Sequence, residues 1–300
     1  MTIRITASRH TAFYSPLICT MAAGFLEKHG LDFIYATLAP GETAAGMIRE
    51  NKTDIMQSAP STNWAKMDKG ETGFPLHFAL INQRDGFFLV GRALPAKTFN
   101  WHDLEGKTLL ADHGSQPLAM LRYAVKFNHA DWQKIDVVNA GSAEAMTEAF
   151  RAGTGDFLHV QAPAPDLLTA VSVGASMPAN AFSSLCAGRE FIAGDSFRPF
   201  LAAFAEAKDW VCHSSAEEIA AKEASYFPGV SKSALALAIE RYKGLGAWDG
   251  PAEIPRDLYE QSLNVFESAG SIKTRHSYDE VCYSAGPLTD QLLTQPESNG

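Results

Sequence analysis

Three short stretches of this chain combine imidazole, hydroxyl, amide and aromatic side chains with the glycines and prolines of strand-to-helix turns. In residues 9–16, His10 stands close to Phe13 and Tyr14. Aromatic rings there can stack on a flat ligand, and an imidazole can donate a hydrogen bond. The same two rings also suit a core beneath the helix that follows. The second stretch, Gln57-Ser58-Ala59-Pro60-Ser61, offers two hydroxyls, with Pro60 at the turn. Ser61 is placed to cap a helix, whose unpaired backbone N–H groups and dipole would favour an anion. Capping alone accounts for it equally well. The third, His113-Gly114-Ser115-Gln116, leads into Pro117; Gly114 permits close backbone approach, Ser115 adds a hydroxyl and Gln116 an amide. Arg84, beside Asp85, suits either a bidentate grip on an oxyanion or a surface ion pair. Gln161 follows a short strand and so stands at a strand end, where α/β folds place their ligands.

Catalytic and metal-binding patterns are absent from the text of the sequence. It holds no GxSxG, HExxH or P-loop, and no GxGxxG at a strand-to-helix junction. Cys19, Cys186, Cys212 and Cys282 are far apart, which fits buried thiols rather than a zinc site or disulfide framework. No catalytic residue, metal or cofactor is expected.

The elements that must position these residues alternate between β-like and helical runs. Strands are expected at residues 3–7, 31–38, 54–57, 75–82 and 86–92, with helices at 16–29, 43–50 and 61–69 between them. Leu94-Pro95-Ala96 reads as a boundary. The alternation then resumes with strands at 108–111, 135–138 and 157–160 and helices at 117–128 and 143–152. Residues 171–180 look loop-like, 183–192 read as a returning strand, and four helices are expected at 200–212, 216–225, 232–245 and 256–269. The final TQPESNG should fray. Each alternating set should build its own parallel-rich sheet.

Four segments resemble, in family order, the substrate-binding proteins of the sulfonate, nitrate and taurine type. They are GFLEKHGLDF from Gly24, MIRENKTDIMQSAPS from Met47, HDLEGKTLLADHGS from His102 and EAMTEAFRAGTGDFLHVQAPAP from Glu144. The resemblance implies an α/β, two-lobed type II periplasmic-binding-protein-like fold with an interlobe ligand cleft. Lobe I would comprise residues 1–91 and 184–300, and lobe II residues 92–183. Some relatives on this fold are enzymes. Thiamine-pyrimidine synthases carry a lysine and a histidine near the position of residues 58–64, where this chain has neither. Their cysteine-rich return strand is here Ser183-Ser184-Leu185-Cys186. Sulfinate desulfinases use a cysteine in the first loop; the nearest here is Cys19, which could pair with His10 only if its helix turned it into the cleft.

The expected function is therefore capture of a small organic ligand, anionic or aromatic, by an importer-type binding protein whose further partner is an ABC permease. A cytoplasmic enzyme or ligand sensor on the same fold is the alternative. With 34 acidic against 25 basic residues and a formal net charge of −9, nucleic acid is not an expected partner. No run approaches the roughly 18 apolar residues of a membrane span. Residues 1–13 lack an apolar leader, so a periplasmic location is expected if a leader was removed before this numbering, and a cytoplasmic one if Met1 is the natural start.

Overall fold

The computed structural model describes residues 2–92, 99–161 and 167–283. The expected boundary at residues 94–96 and the C-terminal tail fall outside them. In chain order, β1 (Thr2–Ala7), β2 (Asp32–Thr37), β3 (Ile55–Ser58) and β4 (Leu76–Asn82) belong to one sheet. The second sheet holds β5 (Phe87–Gly91), β6 (Thr108–Leu110), β7 (Asp136–Val138), β8 (Phe157–Gln161) and β9 (Thr169–Ser172). The chain then returns to the first sheet as β10 (Ser183–Ala187).

The sheet orders are β2-β1-β3-β10-β4 and β7-β6-β8-β5-β9. In each, three parallel strands at one side meet a fourth that runs antiparallel to both its neighbours. That antiparallel strand, β10 or β5, is the one that has just crossed from the other sheet. The crossings are residues 83–86 and 173–182. β5 thus pairs with β8 and β9 in the second sheet.

The helices are α1 (Ser15–Ala22), α2 (Phe25–Lys28), α3 (Ala44–Arg49), α4 (Trp64–Met67), α5 (Ser115–Phe127), α6 (Ala143–Arg151), α7 (Arg189–Ile192), α8 (Phe197–His213), α9 (Ala216–Glu223), α10 (Lys232–Gly244), α11 (Arg256–Ser268) and α12 (Tyr278–Val281). The expected helix over residues 16–29 is two helices, because Gly24 sits at φ +82°, a left-handed conformation that ends α1. Part of the stretch read as loop over residues 171–180 belongs to β9, a half-buried strand laid along β5. The returning strand stops at Ala187 and gives way to α7.

Helices α8 and α9 pack on α1 and α10 packs on α9, while α11 lies against α5 and reaches the second sheet's half. The apolar pattern explains the layers. In β1, Ile3 and Ile5 are fully buried while Thr2 is exposed and Arg4 partly so, and Arg4 instead ties the strand to β3 through Asp54 at 2.6 Å. Behind the first loop, Phe13 packs on Tyr14, Phe182 and Tyr242. Its carbonyl accepts hydrogen bonds from Asn82 (2.7 Å) and Trp248 (2.9 Å).

Candidate functional site

Loops at the C-terminal ends of β1, β2, β3, β6, β7 and β8 converge between the two sheets and enclose two adjoining cavities of about 290 and 630 Å³. Arg9, Phe87 and Gln161 line both. The smaller is otherwise walled by Tyr14, Gln57 and Ser58 from the first half and by Gln116 from the second. The larger extends past His10 and Asp112 to the start of α6 and to His159. Arg9 reaches across the cleft to Asp112 at 3.1 Å, joining the loop after β1 to the loop after β6. Gln116 does the same from α5, donating to the Phe182 carbonyl at 2.6 Å.

Of the residues singled out from sequence, Tyr14, Ser58, Gln116 and Gln161 meet at the smaller cavity, and His10 lines the larger. Burial pushes the pKa of the Tyr14 hydroxyl up to about 12, so it stays protonated. Ser58 shares its hydroxyl with Thr62 at 2.9 Å. His10 has both nitrogens engaged: Nε2 faces the Tyr226 carbonyl at 2.7 Å and must carry the proton, leaving Nδ1 to accept from Tyr35 at 2.8 Å.

The other candidates sit elsewhere. Phe13 is fully buried in the aromatic cluster and lines neither cavity, so it is a core anchor. Pro60 and Ser61 are buried within a 3-10 turn whose cap position is Ala59, and Thr62 rather than Ser61 accepts from the Ala59 N–H. The α-helix beyond is only Trp64–Met67, so no helix dipole of useful length points from Ser61 into the cleft. Gly114 donates its N–H to Asp112 at 2.7 Å and Ser115 is exposed; neither lines the two cavities. Arg84 grips neither a ligand site nor Asp85. Its guanidinium donates to the carbonyls of Gly174 (3.2 Å) and Met177 (2.8 Å), fastening one crossing segment to the other.

Two contributors escape a reading of the sequence. Arg9 stood at the edge of a recognised loop, but its partner Asp112 lies 103 positions on. His159 occupies an alternating position in a strand, where a side chain reads as core. It is fully buried, stacks on Phe87 at 4.6 Å, and lines the larger cavity, yet neither ring nitrogen has a hydrogen-bond partner among the described residues. Burial pushes its pKa down to about 3, so the ring is neutral. The one signal in the sequence was its place two residues before Gln161 on the same strand face.

No protein-family model matches the chain. It is 24% identical over 290 residues to the Bacillus subtilis protein named "Putative binding protein YtlA", covering 93% of this chain and 86% of that one. The periplasmic aliphatic sulphonate binding protein SsuA of Escherichia coli superposes with a TM-score of 0.69 at 15% identity, over 96% of this chain and 93% of that one. A ligand-binding component of an ABC-type import system from Staphylococcus aureus, solved with zinc bound, gives 0.69 at 11% identity, over 94% and 96%. The chain has the fold of the ABC-type substrate-binding proteins. The two-sheet arrangement with an antiparallel crossover strand in each half is that fold.

Within this binding-protein fold, Cys19 is not placed as a nucleophile. It is fully buried in α1, lines neither cavity, and donates to Glu223 at 3.3 Å. Burial and the neighbouring carboxyl push its pKa up, the opposite of what a reactive thiolate needs. Among the described residues no group of three His, Cys, Asp or Glu side chains is arranged to hold a metal ion.

Proposed function

We propose that this protein is a solute-binding protein that captures a small organic molecule between two lobes and delivers it to an ABC permease. The observation that carries the reading is the pair of adjoining cavities lined by strand-end loops of both sheets, with Arg9 and Asp112 facing each other across them. Ligands of open α/β folds bind at such strand ends. One lobe comprises residues 2–82 with 183–283, the other the described residues of 87–172, and the two crossing segments form the hinge. Tyr14, Gln57, Ser58, Gln116, Gln161, Arg9 and His159 are the ligand-facing set. Closure of the lobes on the solute shifts a population between open and closed forms without chemistry.

The protein works outside the cytoplasmic membrane, in the compartment from which an importer draws its solute. No helix among the described residues is long and apolar enough to cross a membrane. Thermal-shift screening against a metabolite collection, followed by mass spectrometry of the recovered hit, tests the reading. A solute at 100 times its Kd should add about 2.7 kcal/mol of stability and come back unchanged. A hit returned chemically converted contradicts it.

A further inference from the structure

The walls of the cleft carry the wrong charge for an anion. Among the described residues, one arginine, Arg9, faces three carboxylates, Glu42, Asp112 and Glu144, across the two cavities. Arg9 is itself paired with Asp112. The start of α6, where a bound anion would be favoured, is already filled by Glu144. That carboxylate accepts from its own backbone N–H and from the Ser142 hydroxyl at 2.8 Å, which together hold its pKa below the usual range.

His159 adds a requirement of a different kind. Its ring is fully buried in the wall of the larger cavity, and neither nitrogen has a partner among the described residues. A neutral imidazole offers one N–H donor and one lone pair. An acceptor-only oxyanion such as nitrate or an alkanesulfonate can answer the N–H but never the lone pair, and an unmet buried polar atom costs free energy. Uncharged polar groups of the cleft such as Gln57, Gln161, Ser8, Ser58 and Tyr14 can each donate or accept.

We propose that the solute of this cleft carries at least one N–H or O–H donor for His159 and no net negative charge, as an amide, amidine or amino compound does. The inference rests on the cleft being the ligand site. Only the chemistry of the solute is added to that reading.

The test is a thermal-shift and calorimetric comparison of the wild-type chain with amides, amidines and amino heterocycles against size-matched sulfonates, carboxylates and nitrate. Benzamide and benzenesulfonate form one matched pair. The donor-bearing set should contain binders that raise the melting temperature, with their oxyanion counterparts weaker by about tenfold or more. Equal or tighter binding by the acceptor-only anions overturns the inference while leaving the cleft as the site. No binding by either set overturns the binding reading, and the inference falls with it. In H159F, which keeps the stack on Phe87 and removes both unmet atoms, the unliganded protein should melt no lower than wild type and the stabilisation by the best donor-bearing probe should vanish. H159L serves if H159F does not fold. Undiminished stabilisation in either variant removes His159 from the ligand site and overturns the inference.

Discussion

At the scale of single residues, burial sets which groups of the interior carry charge. Ser15 Oγ lies 2.8 Å from the Ala12 carbonyl and 3.1 Å from Glu223 Oε2. The Ser15 hydroxyl and the Cys19 thiol both donate to the Glu223 carboxyl, but burial outweighs them. Burial raises the Glu223 pKa from 4.5 to about 8. A carboxyl raised on folding binds more protons in the native than in the unfolded state. Its contribution to stability is full below pH 4.5 and is lost as pH rises to about 8. The slope from this group is at most about 1.4 kcal/mol per pH unit. Over that range the urea midpoint of the wild type should decline relative to that of Glu223→Gln, which preserves the shape without the titration; a constant difference between the two would remove Glu223 as a cause. Lys208, lowered by burial from 10.5 to about 8, contributes in the opposite sense in a separate window, its own term rising with pH from about 8 to 10.5. Arg84 gives a second residue-scale prediction. Arg84→Ala frees the Gly174 and Met177 carbonyls and should cost about 1–2 kcal/mol of stability, while ligand affinity measured by calorimetry changes by less than about twofold. A tenfold loss of affinity would return Arg84 to the cleft.

At the scale of elements, the strand-helix alternation was legible because buried strands and one-sided helices leave different periods in the sequence. The order of the strands, the crossover near residue 183 and the helical C-terminal half all follow from it. The break between α1 and α2 was not legible, because Leu17, Met21, Phe25 and Leu26 keep helical spacing straight through Gly24. The site was read only in part for a related reason. Tyr14, Ser58, Gln116 and Gln161 sit at strand ends that local pattern reveals, whereas the partners of Arg9 and Arg84 lie 90 or more positions away in sequence. The seating of β5 in the second sheet is likewise a long-range pairing, to residues 157–161 and 169–172. The two crossing segments also meet at a place with no room. A Cβ added to Gly174 would stand 2.1 Å from the Asp85 carbonyl oxygen, backbone against backbone. Gly174→Ala should lower stability by roughly 3 kcal/mol, among the larger single-site losses. Gly24→Ala, with open space and only the left-handed φ against it, should lose about 1 kcal/mol. Equal midpoints for the two variants in denaturant would contradict the close approach.

At the scale of the whole molecule, two α/β halves are joined by the two crossing segments and by α11, which lies along α5. Lys126 donates to Ser268 at 3.0 Å and Gln261 to Tyr123 at 3.1 Å across that contact. Side chains from both halves therefore face a shared cleft while the chain connections and α11 limit how the halves can move. Removing the Arg9–Asp112 pair across the cleft by Asp112→Asn should loosen the approach of the loops. The pair is partly exposed, so stability should change by less than about 1 kcal/mol, and a larger loss of denaturation midpoint would mark the pair as structural. The central claim, that one small molecule is held by both halves at once, is tested most directly by amide hydrogen exchange with and without the solute that raises the melting temperature most. Binding in the cleft predicts slowed exchange together in residues 8–14 and 57–62 of the first half and in 112–117 and 141–146 of the second. Slowed exchange confined to one half, or to surfaces away from these loops, would contradict it.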